Sequence, residues 1–133
     1  MWVNPGIKIA HTFGSEGGLT VGAEISVIWE KHDSALGVVL AIDHCRTADR
    51  LKLHAGIEGH PLPVSRLPFG LEVGPTFIWE GSNRDIGFLV GSYTGIIVVP
   101  ELAGTIRLSG SPLFEVGVLG KIPIRSSGER IGS

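Results

Sequence analysis

Leu19-Thr20-Val21-Gly22-Ala23-Glu24-Ile25-Ser26-Val27-Ile28-Trp29 is the stretch that decides the fold. Every second residue (Leu19, Val21, Ala23, Ile25, Val27, Trp29) is apolar. Successive side chains of a β-strand point to opposite faces, so this period of two makes the segment a strand with one continuous apolar face. The other face carries Thr20, Gly22, Glu24, Ser26 and Ile28, small or polar residues with a carboxylate at their centre.

The pattern recurs in both directions along the chain. Leu36, Val38, Leu40 and Ile42 form a second apolar face; Phe69, Leu71, Val73, Pro75, Phe77 and Trp79 a third; Phe114, Val116, Val118, Ile122 and Ile124 a fourth. Turn-forming clusters separate such segments: Gly14 to Gly18, Lys31 to Ser34, Arg46 to Asp49, Pro61 to Pro68, Gly81 to Arg84, Ser92 to Gly95, and Ser109 to Pro112. Seven connections predict eight strands, at about 6–14, 18–30, 35–45, 50–60, 68–80, 85–92, 96–109 and 113–124. Pro75 and Pro100 fall inside strands, and each implies a bulge or an exposed edge. Helical periodicity is almost absent. The expected fold is all-β: a single closed antiparallel meander barrel of about eight strands over residues 1–124, with a polar tail over 125–133.

Segments also match at an offset of fifty residues: Trp29-Glu30 with Trp79-Glu80, and Gly6-Ile7-Lys8 with Gly56-Ile57-Glu58. The simplest interpretation is two similar four-stranded halves. The alternative is that hairpin grammar repeats by itself.

Composition agrees with an unusual surface. Charged residues are 18% of the 133, below the ~25% usual for soluble domains. Mean hydropathy is +0.30 and there are 20 glycines. A net charge of −2 offers no electrostatic footprint for nucleic acid. The single Cys45 excludes an internal disulfide framework. No run of about eighteen apolar residues is present, which excludes a transmembrane helix. Met1 to Gly6 lacks the basic start and apolar core of a signal peptide, so either a signal was removed before this numbering or the protein is not exported by that route.

The faces opposite the apolar ones hold Lys8, Glu24, Asp43, Lys52, His54, Glu58, Glu72, Arg107, Glu115 and Lys121 among many glycines. A soluble barrel would turn this mixed face to water, and a membrane barrel would turn it inward. Two considerations favour the second sense. The interior of an eight-stranded barrel is narrow and accepts only small residues or a compact polar network. The run from Leu19 to Trp29, tilted by ~45°, covers ~23 Å, close to the ~25 Å apolar band of such barrels. Trp29, Phe69 and Trp79 then form an aromatic girdle at the membrane interfaces. Glu24, Asp43, Lys52, Glu58, Glu72, Arg107 and Lys121 form an interior polar network, with Asp43 and Lys52 as cross-strand partners. They must pair, since a lone buried charge is prohibitive. Such a network gates or binds something, or serves only as a stabilising plug.

With this alternation, with glycine-rich strands such as Gly70-Leu71-Glu72-Val73-Gly74-Pro75, and with the closing segment Phe114-Glu115-Val116-Gly117-Val118, the chain resembles small bacterial outer-membrane β-barrel proteins. That resemblance implies a location in the bacterial outer membrane or at the cell surface, with lipid, or detergent in its place, on the outer face. The chain departs from the pattern at its ends, which show neither an export signal nor a final aromatic-terminated strand.

Other chemistry finds little support. His11, His32, His44, His54 and His60 with Cys45 show no metal-ligand spacing. His32-Asp33-Ser34 contains the residue types of a hydrolase triad, but neighbours in a tight turn cannot face one another as a triad requires. No phosphate loop is present. No cofactor, metal or catalytic residue is expected. The expected function is a non-enzymatic membrane-type or surface barrel with a structural or interaction role. One alternative is a self-assembling extracellular barrel whose apolar outside is covered by copies of itself, as homo-oligomer or filament. The other is a soluble calycin-like barrel whose Leu19–Trp29 face lines a cavity for an apolar ligand.

Overall fold

The computed structural model describes residues 1–13, 18–31, 34–60, 69–95 and 97–125. The strands are β1 (Trp2–Phe13), β2 (Gly18–Lys31), β3 (Ser34–Cys45), β4 (Arg50–His60), β5 (Phe69–Glu80), β6 (Asn83–Thr94), β7 (Val98–Arg107), β8 (Leu113–Lys121) and the short β9 (Ile124–Arg125). No helix occurs among the described residues. From β1 to β8 each strand pairs antiparallel with the next, and β1 pairs with both β2 and β8, so the meander closes into a barrel of eight. β9 continues β8 along β1 in the same register after Ile122-Pro123: Gly6 faces Lys121 and Val3 faces Ile124.

The closure can be followed residue by residue. Val3 pairs with Val27, Val27 with Val38, Val38 with Ile57, Ile57 with Val73 and Val73 with Val90. Val90 pairs with Gly104, Gly104 with Phe114, and Phe114 with Phe13. One circuit therefore returns to β1 ten residues beyond its start. That stagger over eight strands tilts them by roughly 40° to the axis.

Alternation places the apolar faces outside. In β8, Leu113, Glu115, Gly117, Leu119 and Lys121 are buried while Phe114, Val116, Val118 and Gly120 are exposed. Leu19 is 60% exposed, Ile25 45% and Trp29 50%, so the Leu19–Trp29 face lines no cavity and a calycin-like site is ruled out on that face. The inside holds Lys8, Asp43, Lys52, His54, Glu58, Glu72, Glu115 and Lys121, packed with Ile78, Leu89, Val99 and Leu119.

Glycines create room for this content. A Cβ at Gly22 would strike the Asp43 carboxylate, and one at Gly70 would strike the Tyr93 ring. Gly70→Val should therefore force Tyr93 from its place and destabilise the barrel by about 1–3 kcal/mol, the usual cost of overpacking. Urea denaturation in detergent, with near-ultraviolet circular dichroism reporting on tyrosine, checks this. An unchanged midpoint would show that the ring is free to move.

Three expectations need correction. β1 begins at Trp2 rather than near residue 6, because Asn4-Pro5-Gly6 is tolerated in a strand: Pro5 accepts a bond from the Ile122 amide through its carbonyl. Pro75 causes no bulge. The β4–β5 register is the same on both sides of it, and only the rungs opposite Ala55-Gly56 are missing. Pro100 does lie at a locally unpaired edge, since the β6–β7 ladder stops at Tyr93 and Glu101. Finally, an offset of fifty carries β2 onto β5, three strands away and running in the opposite direction. The matches are thus hairpin grammar and not two four-stranded halves.

Candidate functional site

The inward faces of all eight strands build a column of ionisable side chains. At its middle, Lys8 Nζ lies 2.6 Å from Asp43 Oδ2, 3.4 Å from Glu101 Oε1 and 3.6 Å from Glu115 Oε2. Lys52 donates to Glu115 and stands 3.7 Å from Asp43 Oδ2. Asp43 and Lys52 face each other directly across β3 and β4. Two ammonium groups are thus bracketed by three carboxylates contributed by β3, β7 and β8. All five side chains are at least nine-tenths buried. In so dry a setting the attraction offsets desolvation because every one of these charges but Glu101, which meets Lys8 alone, has more than one partner.

Toward the end that carries the chain termini, Lys121 Nζ lies 3.1 Å from Glu24 Oε2 and 5.2 Å from the centre of the Tyr93 ring. The Tyr93 hydroxyl donates to Glu58. His54 Nε2 is 2.8 Å from Glu72 Oε2, and its Nδ1 is 3.2 Å from the Pro75 carbonyl oxygen. Glu58 and Glu72 are themselves opposite each other across β4 and β5. Tyr93, Val99 and Leu119 form a small apolar cluster beside them.

At the other end a third group surrounds the barrel mouth. Arg107 Nε donates to Asp85 Oδ2 at 2.9 Å and Arg107 Nη2 to Glu80 Oε1 at 3.0 Å. Arg50 Nη1 donates to Glu80 Oε2 at 2.9 Å. These residues, with Asn83 and Ser111, line a mouth cavity of about 480 Å3. Beneath it, at the level of Cys45, Arg50 and Lys52, a cavity of only about 10 Å3 remains, room for one water at most. At that level the interior is filled rather than open.

Of the sequence-predicted set, Asp43 and Lys52 meet in the central group, Glu24 and Lys121 pair with each other, Glu58 meets Tyr93, and Glu72 meets His54. Arg107 is placed differently from its expected position in one interior network. It is the last residue of β7, so it reaches only the rim carboxylates Glu80 and Asp85. Glu101, Tyr93, Arg50, Glu80 and Asp85 were missed. Glu101 shares a face with Ala103, Thr105 and Arg107, and alternation alone could have found it. Tyr93 and the rim acids fall in or beside segments that read as turns. Of the aromatic residues, Trp29 and Phe69 lie at the terminal end of the barrel and Trp79 at the mouth end, all facing outward.

His11 and His44 point outward while His54 and Cys45 point in, and among the described residues no three His, Cys, Asp or Glu side chains gather in a metal-holding group. His32, Asp33 and the Ser34 side chain lie outside the described residues, as do the His60 side chain and the segments 61–68 and 126–133. Arg125, placed in the tail by its sequence, has its backbone paired with Trp2.

No protein-family model matches the chain, and no curated protein is similar to it in sequence. Solved structures do match. A structure described as de novo design of transmembrane β-barrels superimposes on 90% of this chain and 95% of its own, at 10% identity and a TM-score of 0.50. The fold shared with that designed barrel is the closed antiparallel meander of eight strands. Two natural barrels are similar at lower scores. Neisserial surface protein A matches 91% of this chain and 95% of its own, at 13% identity and a TM-score of 0.49. The Yersinia pestis outer membrane protein Ail, determined in a phospholipid bilayer nanodisc, matches 90% and 99% at 8% identity and a TM-score of 0.47. At such identities the likeness concerns the path of the barrel backbone and none of the interior side chains.

Proposed function

We propose that this chain is a non-enzymatic β-barrel that spans a lipid bilayer, in a bacterial outer membrane or cell surface, with a structural or interaction role. The observation that carries the proposal is the outer surface. From Ile7 and Ile9 on β1 to Val116 and Val118 on β8, every strand of the barrel turns large apolar side chains outward. Water would penalise that surface at roughly 25 cal/mol per Å2, whereas acyl chains cover it. The ionisable residues pair with one another on the inside, where lipid cannot reach them. The interior column reads as a plug that ties the wall together.

Self-association is the competing reading, because a second copy could cover the same face. Tryptophan quenching separates the two. In variants that keep only Trp29 or only Trp79, lipids brominated near the headgroup should quench each tryptophan more than lipids brominated at the chain end. If neither is quenched and the protein forms defined multimers in detergent-free buffer, the bilayer reading is wrong and self-assembly takes its place.

A further inference from the structure

Among the described residues, the outer wall has a recess at its mouth end. It measures about 370 Å3 and is lined by the apolar Phe77, Ile78, Trp79, Ile86 and Leu108 together with Arg84, Asp85 and Ser109. Leu108 is what makes it a slot rather than a flat wall. This leucine follows the end of β7, its amide donates to the Ile86 carbonyl at 2.9 Å, and the residue is 82% exposed. The apolar walls run on without a break into the outward faces of β5 and β6.

Arg84 gives the slot its chemistry. It is exposed, lies directly opposite Trp79 in the β5–β6 ladder, and has no ion pair or hydrogen bond among the described residues. The nearby acids are already engaged. Asp85 accepts from Arg107 Nε at 2.9 Å, from the Ile86 amide at 2.8 Å and from the Ser109 amide at 3.0 Å. Glu80 is bridged by Arg50 and Arg107. What is left is an uncommitted guanidinium at the top of an apolar slot. Guanidinium groups bind phosphate bidentately, and a tryptophan beside one marks an interfacial depth.

Building on the bilayer reading above, we propose that this recess holds one anionic phospholipid, with an acyl chain against Trp79, Ile86 and Leu108 and its phosphate on Arg84. The complementarity is of charge at the rim and of apolar surface below it. Net-neutral lipids share the chain and the phosphate but carry their own cation, which opposes Arg84.

The test uses the Trp79-only protein (Trp2→Phe, Trp29→Phe) in phosphatidylcholine vesicles holding a small fraction of brominated phosphatidylglycerol or, separately, brominated phosphatidylcholine. The anionic lipid should associate with Trp79 about fivefold more strongly, the size of one basic residue's effect at an anionic surface. Arg84→Gln should remove that preference while leaving quenching by brominated phosphatidylcholine unchanged, and Arg84→Lys should keep part of it. The Trp29-only protein should show no preference. Equal quenching of Trp79 by the two lipids, or a preference that survives Arg84→Gln, overturns the lipid site. Absence of quenching by either lipid overturns the bilayer reading itself, so the two failures are distinguishable.

Discussion

Glu115→Ala should destabilise the folded barrel by about 3–5 kcal/mol, the range for removing one member of a buried ion pair. Glu115 accepts from Lys52 and lies 3.6 Å from Lys8, so its loss leaves two buried ammonium groups with fewer counter-charges. The double change Lys52→Met, Glu115→Leu should be milder than Glu115→Ala alone, because it removes both a charge and its partner. Two comparisons sharpen the forecast. Glu58→Gln should be gentler still, since the partner of Glu58 is the neutral Tyr93 hydroxyl, which an amide oxygen also accepts from. Arg107→Ala should cost less than Glu115→Ala and weaken with salt, because its partner Glu80 lies in the open mouth. Denaturant midpoints in a single detergent give the ranking. Equal, negligible shifts for all four variants would mean that the interior charges are solvated.

Leu40→Arg should cost about 2–4 kcal/mol when the protein is folded in lipid, while Leu51→Arg should cost no more than about 1. Both leucines point outward, but Leu40 stands near the middle of β3 and Leu51 is the second residue of β4, at the mouth end. A charge at the bilayer midplane loses its hydration, and one near the headgroups keeps it. A water-exposed surface has no such depth dependence, so equal and small costs at the two sites would exclude a membrane around this band. Equal and large costs would point instead to a subunit interface that covers both.

These forecasts rest on features of unequal legibility. The strands and the closed meander were readable because one face of each strand is almost purely apolar, and a one-residue slip would have inverted every face. Even the Asp43–Lys52 rung was readable, since a four-residue turn, Arg46 to Asp49, fixes the register on both sides of it. The grouping of the interior charges was not. Which lysine meets which glutamate depends on the ten-residue stagger of the closed barrel, and stagger is a property of the whole circuit. Lys8 and Glu101 are brought together across that circuit with no local signal of their meeting. Tyr93 was obscured for a different reason. Ser92-Tyr93-Thr94-Gly95 has turn composition, yet it ends a strand whose tyrosine fills the space left by Gly70.

The seam between β1 and β8 also sets a condition on how the molecule can come into being. Gly6 meets Lys121 there, so the first strand of the barrel waits for the eighth before its second edge is paired. Contacts of such sequence separation make folding slow and late in its commitment. Lys8 sits beside this seam, and Glu115, one of its carboxylate partners, lies on the far strand. An open sheet that entered lipid early would carry that ammonium group into hydrocarbon without Glu115 beside it. Assembly should therefore be all-or-none, with the seam zipping while the charged face is still wet. A chain stopped before Leu113 would gain no partial barrel from the seven strands it already has.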